Sequence, residues 1–345
     1  MLNTVYQLKR PRQFDITFKT INIDDKHIIV RPTHLSICHA DQRYYQGLRP
    51  EKILSQKLPM ALIHEGIGRV IYDPTNTFEV GSKVVMIPNT PVEKSNYIAE
   101  NYLRSSKFRG SGFDGFLQEY VSLEPSRVVS LPENINDNVG AFTEIVSVSY
   151  HAISRFERFS HGVKNAIGVW GDGNLGYITS LLLKKMYPKS KVYVFGVNNL
   201  KLNDFTFADE TFLVGSVPKD LTIDHAFECV GGSASTDAIS QIIDCISPEG
   251  TISLMGVSEN SIPINTRMVL EKGLKIFGSS RSGRNDFINL IELYKTCPDI
   301  LLYLENIVGS VIDVRSIKDI NYKLMLVVVS YILSNKSYRE DSRTY

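Results

Sequence analysis

Residues 165–187 read NAIGVWGDGNLGYITSLLLKKMY, and this stretch sets the architecture. A short apolar run from Ala166 to Trp170 has the length and texture of a buried strand. The segment after the glycines places apolar residues at helical spacing and is stopped by Pro188. Between them, Gly171, Asp172, Gly173, Asn174, Leu175 and Gly176 satisfy GxGxxG. In such a loop the first glycine permits the tight turn, the second lets backbone approach a pyrophosphate, and the third lets helix and strand pack closely. The helix start then offers N–H groups and a positive dipole end to the phosphates. Gly171, Gly173, Asn174, Leu175 and Gly176 are therefore candidate dinucleotide ligands, against the plainer reading of a glycine-rich turn that binds nothing.

Downstream the alternation continues through KVYVFG, DHAFECVGG, a helix around STDAISQIIDCI and the strand GTISLMGV. Strand alternating with helix predicts a parallel sheet with crossover helices. Upstream the texture differs. HIIVRP, GIGRVIY, SKVVMIP, FLQEYVSL and SRVVSLP are short strand-like runs separated by Gly, Pro and Asn, as in an all-β, barrel-like region. Residues 89–112 are polar and weakly patterned and read as an excursion from it. The helical stretch EIVSVSYHAISRFERF joins the two regions. Two domains are also what 345 residues predict, since single cores rarely grow beyond roughly 250–300.

Cofactor choice is read at the end of the second strand of the nucleotide fold. An Asp or Glu there holds the ribose 2′-hydroxyl of NAD. This chain has Gly196 followed by Val197, Asn198, Asn199, Leu200 and Lys201. No negative charge opposes a 2′-phosphate, which favours NADP(H). Lys201 is either a partner for that phosphate or a solvated helix residue.

The composition narrows the class. Lys and Arg total 38 against 37 Asp and Glu, so no bulk field draws the chain to nucleic acid or an anionic membrane. The N-terminus lacks a signal-peptide apolar region, and the run Leu324 to Leu333 is too short to span a bilayer. Four dispersed cysteines without a CxxC pair give no disulfide framework, and a cytoplasmic location is expected.

Two motifs precede the nucleotide fold: Ser36-Ile37-Cys38-His39-Ala40-Asp41 and Ile63-His64-Glu65-Gly66-Ile67-Gly68. Cys and His are ligands that zinc prefers, and a catalytic site uses about three protein ligands and keeps a position open. Taken singly, Cys38 reads as a small buried hydrophobe, His64 as a core histidine, and Glu144 as a helix-start acid favoured by the dipole. Their order is more telling: Cys-x-x-Asp, His-Glu-Gly-x-Gly, an acid, then GxGxxG.

That order resembles the zinc-dependent medium-chain dehydrogenase/reductase family over roughly residues 1–315. The resemblance implies an α/β fold: a GroES-like catalytic domain over 1–145, completed by about 283–345, and a Rossmann domain over 146–282. It implies zinc ligands at Cys38, His64, Glu65 and Glu144, as in the polyol-dehydrogenase branch. Catalytic support would come from Glu65 and from Asp41, which matches the acid that orients the histidine ligand. Within the family, LSQKLPMALIHEGIG, VVMIPNTPVEKS, WGDGNLGYIT and LEKGLKIFGSSRSG are similar to the ribulose-5-phosphate reductases, or ribitol-5-phosphate dehydrogenases, of teichoic acid and capsule pathways. That similarity implies reduction of ribulose 5-phosphate to ribitol 5-phosphate with NADPH. It also implies a cytidylyltransferase partner, in a homo-oligomer or hetero-complex, that consumes the product.

The chain departs from the wider family in three places. Residues 89–115 contain no cysteine, so a second, structural zinc is not expected. Ala40 stands where many relatives have a Ser or Thr that starts a proton relay, leaving His39, Arg43 or Tyr45 as candidates. The tail from Asn321 to Tyr345 does not look like the family's ending. Arg43, Lys57, Arg281 and Arg284 are candidate phosphate ligands. Two other functions compete: an NAD-dependent zinc polyol dehydrogenase, and an inactive scaffold for a cytidylyltransferase. An acid at position 196 would favour the first, while an intact ligand set opposes the second.

Overall fold

A computed structural model describes residues 1–325 and 331–334. Two compact units divide the chain. One comprises Met1–Glu144, Ser282–Glu292 and the described residues from Leu304 on; the other comprises Ile145–Arg281 and Leu293–Tyr303.

The second unit is a six-stranded sheet of Ala166–Trp170, Lys191–Gly196, Glu210–Leu213, Ile223–Glu228, Ile246–Leu254 and Lys275–Gly278. Taken in chain order, the strands lie 3-2-1-4-5-6 across the sheet, and every pairing is parallel. This is the doubly wound Rossmann order, whose ligand crevice opens where the order reverses, beside the first strand. The helix Asn174–Met186 buries Ile178, Leu181 and Leu182 completely and ends before Pro188. Burial of apolar side chains on that scale supplies most of the unit's stability.

The first unit is β-rich. Its long strand Ile28–Ile37 pairs antiparallel with Glu65–Tyr72, Val121–Leu123 and Tyr331–Ser334. Glu65–Tyr72 continues the sheet through Lys83–Met86 to Val128–Ser130. The run FLQEYVSL forms a strand only over Val121–Leu123. Its first half is diverted, because the N–H groups of Phe116 and Leu117 bond to the carbonyls of Ile63 and Leu62 at 2.6 and 3.2 Å. A hairpin of Leu2–Arg10 and Gln13–Thr20 and the helices His39–Gln46 and Glu51–Lys57 complete the part near the motifs.

The cysteine-free excursion is held by an ion pair and a backbone hydrogen bond at Glu100. Glu100 accepts from Arg127 Nη1 at 2.9 Å and from the Arg284 N–H at 2.7 Å. Much of the tail read as atypical, residues 326–330 and 335–345, lies outside the described residues.

Candidate metal and dinucleotide site

Cys38 ends the strand Ile28–Ile37 as the cap of the helix His39–Gln46, and Asp41 occupies that helix's first turn. Asp41 is 1% exposed; its Oδ2 accepts from the Cys38 N–H at 3.1 Å and from the thiol at 3.0 Å. Its Oδ1 accepts from the Ile63 N–H at 2.9 Å. Ile63 has φ +70°, a left-handed conformation that a β-branched residue adopts only under constraint. The next two residues are His64 and Glu65, so the constraint aims both.

Ligand atoms of Cys38, His64 and Glu65 lie within 4.8 Å of one another. His64 Nε2 is 3.5 Å from Cys38 Sγ and 4.0 Å from Glu65 Oε1, while Nδ1 faces Asp41 at 3.8 Å. At that distance Asp41 does not hydrogen-bond His64. It positions the ring through the backbone of Ile63. Phe108 packs on the imidazole with ring centres 5.2 Å apart.

Glu65 is 2% exposed, and Ser36, its cross-strand neighbour, hydrogen-bonds to it. Burial and then the charge of Glu144 push the Glu65 carboxyl well above its ordinary range. Burial, with Asp41 and Glu65 nearby, does the same to the Cys38 thiol. Glu65 Oε2 is buried with no hydrogen-bond partner. A thiol, an imidazole and a carboxylate converging without a cation fit a zinc-type ion, which would neutralise the cluster and satisfy that oxygen. Glu144 begins the helix Thr143–Phe159 and is buried, but stands outside the three-residue cluster.

Tyr45 is stacked on Phe14 and 2% exposed, while His39 is exposed. Arg284 is committed elsewhere. Its Nη1 bonds to the carbonyls of Pro125, Ser126 and Val128.

In the nucleotide unit, Gly171 has φ +129°. A Cβ on Gly176 would stand 1.9 Å from the Gly171 carbonyl oxygen, whereas one on Gly173 would meet nothing within 4 Å. The middle glycine therefore faces open space, as a pyrophosphate needs, and the third closes the helix on the strand. A cavity of about 400 Å³ lies here, lined by Trp170, Gly171, Asp172, Gly173, Phe195 and Cys229 among others. Asn174, Leu175 and Gly176 form the first turn of the helix beside it. Lys201 is exposed on the helix Asn199–Leu202 and has no ion-pair partner among the described residues.

Asp172 is the residue that pattern reading overlooked. Its Oδ2 accepts from the N–H groups of Val197 and Asn198, both at 2.8 Å. A Cβ on Gly196 would come within 2.7 Å of the Asp172 Cβ and 2.8 Å of its Oδ2. The carboxylate missing from the strand end is thus replaced by one from the glycine loop, buttressing the turn. A charged residue between two loop glycines, with a glycine ending the next strand, is the signal that could have revealed it.

Comparison with known proteins agrees with this geometry. Residues 24–133 match the alcohol dehydrogenase GroES-like domain, and residues 202–296 match the zinc-binding dehydrogenase domain. A ribulose-5-phosphate reductase of Bacillus spizizenii is 54% identical over 320 residues, covering 93% of this chain and 94% of that one. Ribulose-5-phosphate reductase 2 of Staphylococcus aureus is 55% identical with the same coverage. The chain belongs to the zinc-dependent dehydrogenase family, among the ribulose-5-phosphate reductases. The crystal structure of S. aureus TarJ in complex with NADPH superposes with a TM-score of 0.87 at 48% identity, covering 97% of this chain and 99% of that one. Family membership accounts for the Cys38, His64 and Glu65 cluster in the first unit and for the glycine loop in the second.

Proposed function

We propose that this protein reduces D-ribulose 5-phosphate to D-ribitol 5-phosphate with NADPH. The observation behind the reading is the convergence of Cys38, His64 and Glu65 in a chain more than half identical to ribulose-5-phosphate reductases. Cys38, His64 and Glu65 would hold one zinc ion, with Glu144 close enough to act on Glu65 or to replace it. Zinc bound there supplies Lewis acidity toward a ketone oxygen, and NADPH supplies the hydride. Asp41 fixes Cys38 and the Ile63–His64 backbone, and Ser36 fixes Glu65, so the donors keep their geometry as charge develops. The glycine loop and its helix hold the pyrophosphate; Asp172 keeps the Val197–Asn198 turn in place, with Lys201 offered to the 2′-phosphate.

The product is suited to a cytidylyltransferase that builds CDP-ribitol for teichoic acid or capsule, as a partner of a homo-oligomer or hetero-complex. No helix among the described residues is long and apolar enough to cross a membrane, and a cytoplasmic site of action fits this role. The test is a panel of ketose phosphates and free ketoses assayed with NADPH and NADH, with zinc measured on the same samples. Turnover of ribulose 5-phosphate with NADPH at one zinc per chain is expected. Better use of NADH with an unphosphorylated ketose would overturn the reading.

A further inference from the structure

Lys57 ends the helix Glu51–Lys57, and its side chain is half-buried. Its Nζ donates to Ser111 Oγ at 2.9 Å and lies 5.9 Å from the centre of the buried Tyr44 ring. No carboxylate among the described residues pairs with it. An ammonium has three donors, and a half-buried one without a counter-ion is costly unless an anion arrives.

Ser111 sits between Gly110 and Gly112, whose φ values are +68° and +115°. The Gly110 N–H is bonded to the Phe113 carbonyl at 3.0 Å, so of these two glycines only Gly112 has an N–H without an oxygen acceptor. The Gly112 N–H meets only the sulfur of Met60, at 3.3 Å, and thioethers are weak acceptors. A Cβ at Gly112 would touch nothing within 4 Å, so the loop opens to free space. Arg49 places a second cation over Tyr44, 5.1 Å from its centre. The loop is also tied to the metal cluster. The Ser111 N–H donates to the Phe108 carbonyl at 3.1 Å, and Phe108 packs on His64.

We propose that Lys57, the Ser111 hydroxyl and the Gly112 N–H, flanked by Arg49, form the subsite for the substrate's phosphate. This rests on the reading of the protein as a sugar-phosphate reductase and assigns the residues that impose that preference. A phosphate there would accept from the ammonium, the hydroxyl and the backbone together, and a ketose lacking it would leave the ammonium without a counter-ion.

Two measurements on the full-length holoenzyme test the assignment. The first needs no turnover: inorganic phosphate is titrated against wild type and Lys57→Ala by thermal shift. Phosphate should stabilise wild type and leave Lys57→Ala unmoved, and equal stabilisation of both would overturn the subsite. The second is the ratio of kcat/KM for ribulose 5-phosphate to that for free ribulose, with NADPH. Lys57→Ala should lower that ratio roughly 10–100-fold, by the weight of a charged hydrogen bond, mostly through KM. Lys57→Arg should recover most of it. An equal loss on both ketoses would show that Lys57 serves the fold instead. If wild type reduces neither ketose, the functional reading fails, and the phosphate titration still decides the subsite.

Discussion

At the scale of single residues, the site depends on one that spacing does not single out. Ile63 is held at φ +70° by Asp41 on its N–H and by the Phe116 N–H on its carbonyl. Such conformations cost about 1–3 kcal/mol and persist only where the surroundings over-determine them. Asp41→Ala should release Ile63 and the Cys38 cap together, lowering zinc affinity roughly 10–100-fold in chelator competition, as changes to a ligand's supporting partner do. Asp41→Asn keeps an acceptor for Ile63 and should fall between the two; unchanged affinity in the alanine variant would refute the positioning role. The nucleotide loop allows a second substitution to be judged. Sequence reasoning makes Gly196→Asp a switch toward NAD(H), yet the new side chain would run into Asp172. The expected outcome is at least a tenfold loss of NADPH affinity in fluorescence titration with no gain for NADH. Cys38, His64 and Glu65 were legible because residue type and order survive in the string. The Ile63 strain was not, because backbone angles are set by the folded surroundings; the Asp172 buttress left only the signal of an acid between loop glycines and a glycine at the next strand's end.

At the scale of elements, the parallel sheet was legible from Ala166–Trp170 and Lys191–Gly196, near-continuous apolar runs as burial on both faces demands, whereas the partly exposed strands Glu210–Leu213 and Lys275–Gly278 were not read. The N-terminal hairpin was not. Along Leu2–Arg10 the inward-facing positions include Asn3 and Gln7, both nearly fully buried. Asn3 Nδ2 bonds to Gln118 Oε1 and the Tyr120 carbonyl, and Gln7 Nε2 bonds to Asp114 Oδ1. A polar core face hides strand periodicity, and its partners lie more than a hundred residues away. The helix His39–Gln46 was hidden likewise, since it buries Asp41 and Gln42. Polar burial also organises the cofactor side. Glu228, at the end of Ile223–Glu228, is 1% exposed and accepts from the N–H groups of Val230, Gly231 and Gly256 and from the Ser235 hydroxyl. It fixes the turn that brings Cys229 and Val230 to the cavity. Glu228→Ala leaves those donors without an acceptor. It should raise KM for NADPH by tenfold or more and cost about 2–4 kcal/mol of stability in urea titration. Loss of stability with KM unchanged would confine Glu228 to a structural role.

For the molecule as a whole, a formal charge of +1 leaves little net repulsion near neutral pH, so the acid response is set by particular buried groups. His225 is completely buried in the nucleotide unit. Its Nε2 pairs with the Val163 carbonyl at 2.9 Å, and its Nδ1 accepts from the Thr251 N–H at 3.2 Å. Both nitrogens are satisfied only by the neutral ring. Burial, with His161 beside it, lowers its pKa to about 4. The unfolded imidazole protonates near 6.5. Between these values the unfolded chain binds the extra proton, so stability falls as pH falls. Above 6.5 nothing is lost, and by pH 4 the loss reaches about 3 kcal/mol. Burial lowers His34 in the same direction in the β-rich unit. Glu133, held below its usual range by the Arg69 guanidinium, adds its loss only in stronger acid. Urea midpoints should therefore begin to drop just below pH 6.5, well before Glu133 titrates. His225→Gln can keep an amide donor for Val163 and an acceptor for Thr251 without a titrating ring, and should flatten that slope. Because both proteins keep the same metal ligands, acid release of zinc cancels in the comparison. Identical slopes in the two proteins, or a His225 resonance titrating near 6.5 in the folded protein, would remove His225 as the source.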